Sequence, residues 1–124
     1  MEYSQTIECW LCGGPGDLRK ETRPLSIRGR AVEVENEFYG CRACGEEFLL
    51  PGMMDAVMTR ATARIRAEDG LLTSEEIRRV RETRGLTPAE LDAVLGLRTG
   101  EVMRWERGTV PQDAMSDTLL RRMS

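Results

Sequence analysis

Cysteine is the residue type whose spacing carries the clearest chemistry in this chain. Its four copies fall as Cys9-Trp-Leu-Cys12-Gly13-Gly14 and Cys41-Arg-Ala-Cys44-Gly45, two Cys-x-x-Cys pairs separated by 28 residues. Two intervening residues let both thiolates of a pair reach one ion. A following glycine lets the backbone turn so that N–H groups can point at the sulfurs. Two such knuckles predict one four-cysteine site, with Cys9, Cys12, Cys41 and Cys44 holding a single structural Zn2+. Four protein thiolates leave no open position for water or substrate. The ion would instead supply folding free energy to a segment too short for a core of its own. Iron in the same cage, as in a small rubredoxin-like electron carrier, is the alternative metal. Two disulfides would need an oxidising compartment, and a redox dithiol needs a thioredoxin-like pattern that is missing.

Arginine forms the second constellation. Residues 86–108 read as two short helices about a tight turn. Thr87, Pro88 and Glu90 make a capped helix start, and Leu91, Val94 and Leu95 give that helix an apolar side. Gly96 can end it in a left-handed conformation, after which Leu97 turns inward. Thr99 can cap a second helix whose buried side is Val102 and Trp105. The outer face then carries Gly100, Met103, Arg104 and Arg107 at helical spacing. A helix, a glycine turn and a second helix with arginines outward is the geometry that enters a DNA major groove. Arg104 is expected at a base edge. Arg98 and Thr99 are expected at phosphate, and Arg107 at phosphate or paired with nearby acids. Glu101 is either a cytosine reader or a solvated residue, and Glu106 is expected to support the fold by hydrogen bonding. One or two arginine contacts per module bind weakly, so a homodimer on a palindromic operator is expected.

Composition bounds these readings. The 124 residues carry no histidine and a net charge of -3. Without histidine there is no Ser-His or Cys-His nucleophile pair and no His-ligated metal. No carboxylate or arginine constellation takes their place, and the chain is not expected to be an enzyme. Residues 1–69 hold nine basic and twelve acidic side chains, whereas residues 70–124 hold nine of each. Neither half has the basic excess of strong non-specific DNA binding, so any DNA-reading arginines must be local to one face. Lys20 is the sole lysine, and arginine suits bidentate contact with guanine and phosphate. No stretch reads as a membrane span or a secretory leader, and a cytoplasmic location is expected.

The elements that must position these groups follow from pattern. Residues 1–8 are polar and expected to be loose. Leu25, Ile27, Val32 and Val34 alternate with polar residues about a turn at Arg28-Gly29-Arg30, with a second reversal at Asn36-Glu37. This predicts a small antiparallel sheet with zinc at one end. Trp10, between two ligands, either packs over the sheet or stands as an exposed anchor for a protein partner. After Pro51-Gly52, Met53 or Met54, Val57, Met58, Ala61 and Ile65 predict an amphipathic helix of about four turns. Its methionine-bearing face is read as core or, alternatively, as a dimer or partner contact. Arg60, Arg64 and Arg66 are read as its solvated face, and residues 70–73 as a linker. Thr73 and Glu76 cap a further helix with Ile77 and Val80 inward. A last helix after Val110-Pro111 places Met115, Leu119, Leu120 and Met123 inward. The expected fold is an α+β N-terminal zinc-binding domain, residues 1–69, followed by an all-α helix-turn-helix domain, residues 70–124.

Leu86-Thr87, Leu91, Gly96-Leu97, Val102 and Trp105-Glu106-Arg107-Gly108 resemble the helix-turn-helix of Xre/lambda-repressor-type regulators. Pro88 stands where a polar, often phosphate-contacting residue is usual. Asp92 stands where a small residue usually packs, which predicts slightly looser packing. A Cys-x-x-Cys pair, Ile27-Arg-Gly-Arg30, a second pair, a linking helix and an Xre-type module is, in order, similar to the MqsA (YgiT-type) antitoxin family, from about Cys9 onward. That resemblance implies a zinc domain that grips a small ribonuclease toxin and a lambda-repressor-like domain that dimerises and binds its own promoter. It matches Arg104 to the family's base-reading arginine and puts Gly100 where the family's second reader is an asparagine. Family members continue into a further helix that contributes to dimerisation, so a different or weaker dimer interface is expected. The alternatives are a stand-alone zinc-containing repressor and a zinc-domain interaction adaptor without DNA binding.

Overall fold

Two residues shape the first half. Arg28 and Gly29 both take left-handed backbone, φ 52° and 85°, the conformation of a two-residue hairpin turn whose twist matches its strands. Arg28 is the only non-glycine residue with positive φ among the described residues. The computed structural model describes residues 3–124. Met1 and Glu2, the start of the stretch expected to be loose, lie outside the described residues. The strands are β1 (Thr6–Glu8), β2 (Pro15–Ile27), β3 (Arg30–Cys41) and β4 (Glu47–Phe48). They form one curled antiparallel sheet in the order β1-β2-β3-β4. β2 and β3 pair from Gly16↔Cys41 to Ile27↔Arg30. Residues 6–8 are therefore ordered by pairing with residues 15–17 rather than loose. The reversal expected at Asn36-Glu37 does not form. β3 runs through it, with Asn36 opposite Glu21 and its amide donating to the Val34 carbonyl at 2.9 Å.

The alternating apolar residues do what their period requires. Ile27, Val32 and Val34 are buried together against Val57, Ala61 and Ile65 of helix α1 (Met53–Asp69), with Leu25 and Met58 at the margin. Met53 is buried and Met54 is exposed. The apolar face of α1 is thus core, as its spacing implies. α1 ends at Gly70, whose left-handed φ of 69° stops the helix. Near the cysteines both faces of the sheet are covered. Tyr39 stacks on Phe48 with centroids 5.6 Å apart, its hydroxyl donates to the Ser4 carbonyl at 2.7 Å, and the Arg23 guanidinium lies 4.1 Å over the Phe38 ring.

Four more helices follow: α2 (Ser74–Thr83), α3 (Pro88–Val94), α4 (Glu101–Arg107) and α5 (Ala114–Met123). Thr73 with Glu76 and Thr87 with Glu90 form complete capping boxes at α2 and α3. Leu72, Ile77, Val80, Leu91, Val102, Trp105 and Leu120 make a second core cluster. Three residues expected in this core lie outside it: Val94, Met115 and Leu119 are 61%, 76% and 37% exposed. α3 has only seven residues, and Leu91 and Leu95 fill its inward arc. On α5 the inward arc is taken by Leu120 and Met123, with Ser116 and Asp117 buried beside them.

The two clusters meet at α1. Arg66, expected on a solvated face, is 6% exposed. Its guanidinium donates to the Gln112 side-chain oxygen at 3.0 Å, the Ser74 hydroxyl at 2.7 Å and the Trp105 carbonyl at 3.0 Å. Burial lowers its pKa to about 10, still far above neutrality, so the group stays charged. The short connection at residues 70–73 is anchored at its middle, where Leu72 is buried and its N–H donates to Asp117 at 2.8 Å. Val110 touches both clusters. Replacing Arg66 with Ala would leave the buried Gln112 oxygen without its donor and open a polar gap in the seam, and should cost about 2–4 kcal/mol in chemical denaturation. Arg64→Ala, on the exposed side of α1, should change stability by less than about 0.5 kcal/mol.

Candidate metal centre and nucleic-acid interface

The cysteine knuckles sit where two strands end. Cys9 follows β1, Cys41 closes β3, and each is followed by the same backbone hydrogen bonds. The N–H of Cys9 donates to the Gly14 carbonyl at 2.7 Å and that of Gly13 to Cys9 at 2.9 Å. The N–H of Cys41 donates to Glu46 at 2.8 Å and that of Gly45 to Cys41 at 3.0 Å. Gly13 and Gly45 share a φ of 78°, which a side chain would strain. The glycine after each pair is therefore a conformational requirement of the knuckle.

β2–β3 pairing brings the two knuckles together. The four Sγ atoms lie within 4.8 Å of one another, with Cys9–Cys44 at 3.8 Å and Cys12–Cys41 at 3.5 Å. A tetrahedral ion with metal–sulfur bonds of about 2.3 Å needs sulfurs about 3.8 Å apart. The four are free thiols. Backbone N–H groups of Leu11, Gly14 and Cys44 point at the sulfurs of Cys9, Cys12 and Cys41, at 3.4, 3.4 and 3.5 Å. A methyl group at Gly14 would lie 2.8 Å from Ala43 Cβ and 3.3 Å from the sulfurs of Cys12 and Cys41. The donor set, spacing and hydrogen bonds fit a metal ion. The Cys44 N–H, helped by neighbouring donors, pulls the Cys41 thiol down to about 6. At Cys44 the Glu46 N–H pulls the other way, but burial and the adjacent thiols prevail and push it up to about 12. Of this pair Cys41 is therefore the readier thiolate, and a bound cation favours the thiolate form of its ligands.

Trp10 does not pack over the sheet. It is 71% exposed, with Leu11 at 62%. Beside it an apolar groove of about 570 Å³ runs between Ile7, Phe48, Leu49 and Leu50, so it touches both edge strands.

The second constellation is built around Asp92. Its oxygens accept the backbone N–H groups of Gly100 and Val102, both at 2.8 Å, and the residue is 3% exposed. It is the cap of α4 reached across the turn from α3. This reverses the expectation of looser packing there. It also replaces Thr99 as the cap, since Gly100 holds the N-cap position at φ 93° without a side-chain hydrogen bond. Glu106 accepts from Arg81 at 2.6 and 2.9 Å and from Arg78 at 3.2 Å, the supporting role expected of it.

Of the residues expected to touch DNA, Arg98, Thr99 and Arg104 line one depression of about 440 Å³. Gly100 lies beneath the Arg104 guanidinium, which would stand 3.5 Å from a Cβ there. Met103 and Arg107 are exposed farther along α4. Glu101 is neither free nor outward. Its carboxylate is 15% exposed and forms a two-pronged ion pair with Arg28 of the hairpin turn, at 2.5 and 2.8 Å. Sequence reading missed Arg28 because its partner lies 73 positions away.

No family model matches the chain, and no curated protein matches it. Function is therefore read from these groups themselves. Among the described residues, no helix is long and apolar enough to cross a membrane.

Removing the Asp92 acceptors should destabilise the helices by about 2 kcal/mol in Asp92→Ala, and by a comparable amount in Asp92→Asn, whose single amide oxygen can replace only one acceptor while its NH2 faces the other N–H. Acid should act through Glu106 and Asp117. Burial raises both pKa values, but hydrogen bonds from Arg81 to Glu106 and from the Leu72 N–H to Asp117 prevail, so both end below their ordinary 4.5 and 3.8. Their contribution is complete above those ordinary values and is lost as pH falls through the lower folded ones. Melting followed by Trp105 fluorescence, with Trp10 changed to Phe, should fall steeply in that window. The fall should be shallower in Glu106→Gln.

Proposed function

We propose that this protein is a zinc-stabilised, DNA-binding transcriptional regulator, acting as an MqsA-like antitoxin that represses its own operon and binds a small ribonuclease toxin. The observation that carries the DNA half is the division of α4. Val102 and Trp105 are buried, while Met103, Arg104 and Arg107 are exposed on a helix held by the Asp92 cap. A short rigid helix with arginines outward suits insertion into a major groove, with Arg104 reading guanine and Arg98 and Thr99 meeting phosphate. Residues 70–124 would be the reading domain and residues 1–69 the zinc domain. One Zn2+ would be held by Cys9, Cys12, Cys41 and Cys44, its role structural because four thiolates close its coordination. Few base contacts per chain call for a homodimer on a two-fold operator.

The exposed Trp10 and its groove support a protein partner for the zinc half, which is where a toxin would be held. The same feature favours the adaptor reading, in which the helices are only a scaffold. DNA binding separates the two. Arg104→Ala should lose about 1–3 kcal/mol of affinity for the duplex that the protein enriches from a randomised double-stranded library. Enrichment of no duplex by the intact protein would favour the adaptor. Metal analysis should return one zinc per chain and a colourless protein, whereas iron in the cage would show as visible absorption.

A further inference from the structure

The contact between Arg28 and Glu101 joins the hairpin turn of the sheet to the first turn of α4, and it does so beside Arg104. Four charged groups, Arg28, Arg98, Glu101 and Arg104, line this depression. The Arg28 guanidinium meets both oxygens of Glu101, at 2.5 and 2.8 Å. The Arg104 guanidinium stands 3.9 Å from the nearer of those oxygens. Arg104 is three positions after Glu101 on the same helix, the spacing at which side chains pair without outside help. Glu101 thus has two partners: Arg28 engages both its oxygens closely, whereas Arg104 makes one longer contact at 3.9 Å. The pair is the better one geometrically, because both oxygens are engaged by one planar fork.

The backbone bears this out. Arg28 holds a left-handed φ of 52°, a conformation that glycine or asparagine adopts more easily. An arginine placed there has a side-chain reason to be there. Glu101 is mostly covered, with 15% of its side chain exposed against 52% for Arg104.

We propose that Arg28 is a positioning residue for DNA reading: it holds and neutralises Glu101, so that Arg104 is only loosely held there and can turn to the duplex. This inference rests on the DNA-binding reading above. Without Arg28, the Glu101 carboxylate would turn to Arg104 and occupy the guanidinium that must reach a base. The face would also carry one positive charge fewer toward the phosphates. The zinc half would then contribute to DNA affinity without touching DNA. Arg28 acts through Glu101, so its effect should vanish when Glu101 carries no charge.

The test is a double-mutant cycle on the full, zinc-loaded chain, with the duplex enriched by the wild-type protein as probe. Far-UV circular dichroism and Trp105 fluorescence report folding in each variant. Arg28→Ala should weaken binding about fivefold. Arg28→Ala combined with Glu101→Gln should return affinity to within about twofold of wild type. Glu101→Gln alone should bind as well as wild type or better, although it too breaks the ion pair. That single variant keeps the test decisive if Arg28→Ala does not fold. A fivefold loss in Glu101→Gln would mean that the pair serves only the fold, and would overturn the proposal. A loss in Arg28→Ala that Glu101→Gln does not rescue, with the salt slope reduced by about 1, would also overturn it, since Arg28 would then be a direct phosphate contact. If the wild-type chain enriches no duplex, the DNA-binding reading itself fails and this inference falls with it.

Discussion

Arg66 places a cation in the seam between two small hydrophobic clusters, and much of the architecture depends on its being satisfied there. Its three acceptors come from the start of α2, the end of α4 and the segment before α5. A buried guanidinium with all its partners fixes how those segments meet α1. The same charge without them would be too costly to keep. The Gln112 amide extends the network to the Leu72 carbonyl and to Asp117. Polar groups thus set the geometry of the seam while aliphatic side chains fill the space on either side. Neither cluster is large, which is the situation in which chains of this size turn to metals and buried polar networks.

The long hairpin is restrained at both ends. At one end the four thiols converge, tying β1 and the β4 region to the central strands. At the other, the Arg28–Glu101 pair and the Val110 contacts hold the turn against the helices. Between these ends, residues 19–22 of β2 are exposed. A metal at the first end would offset what that region lacks in apolar burial. On the reading proposed here, the second end matters for function, because it determines which charges the outer face of α4 presents.

Local signals were legible in the sequence. The Cys-x-x-Cys-Gly units, the Thr73 and Thr87 capping boxes, the Arg28-Gly29 turn and the Val102/Trp105 inward pair each depend on residues within a few positions of one another. Physics at that range is written in spacing. What was not legible depends on distant partners. Arg66 looks like a surface residue until α4 and Gln112 close over it. Asp92 looks like a packing defect until the turn folds back and presents two N–H groups to it. Glu101 looks solvated until a residue 73 positions earlier reaches it. Met115, Leu119 and Val94 failed in the opposite direction. Their apolar character suggested burial, but each faces solvent once the inward arc of its element is filled.

The most direct measurement is an amide chemical-shift map of the zinc-loaded protein as its enriched duplex is added. The proposed function expects the largest changes in residues 98–107, centred on Arg104, with smaller ones at the Arg28-Gly29 turn and none around Trp10 and the cysteine knuckles. Changes concentrated at Trp10 and the knuckles, with α4 unmoved, would contradict it and place nucleic-acid contact on the metal half instead.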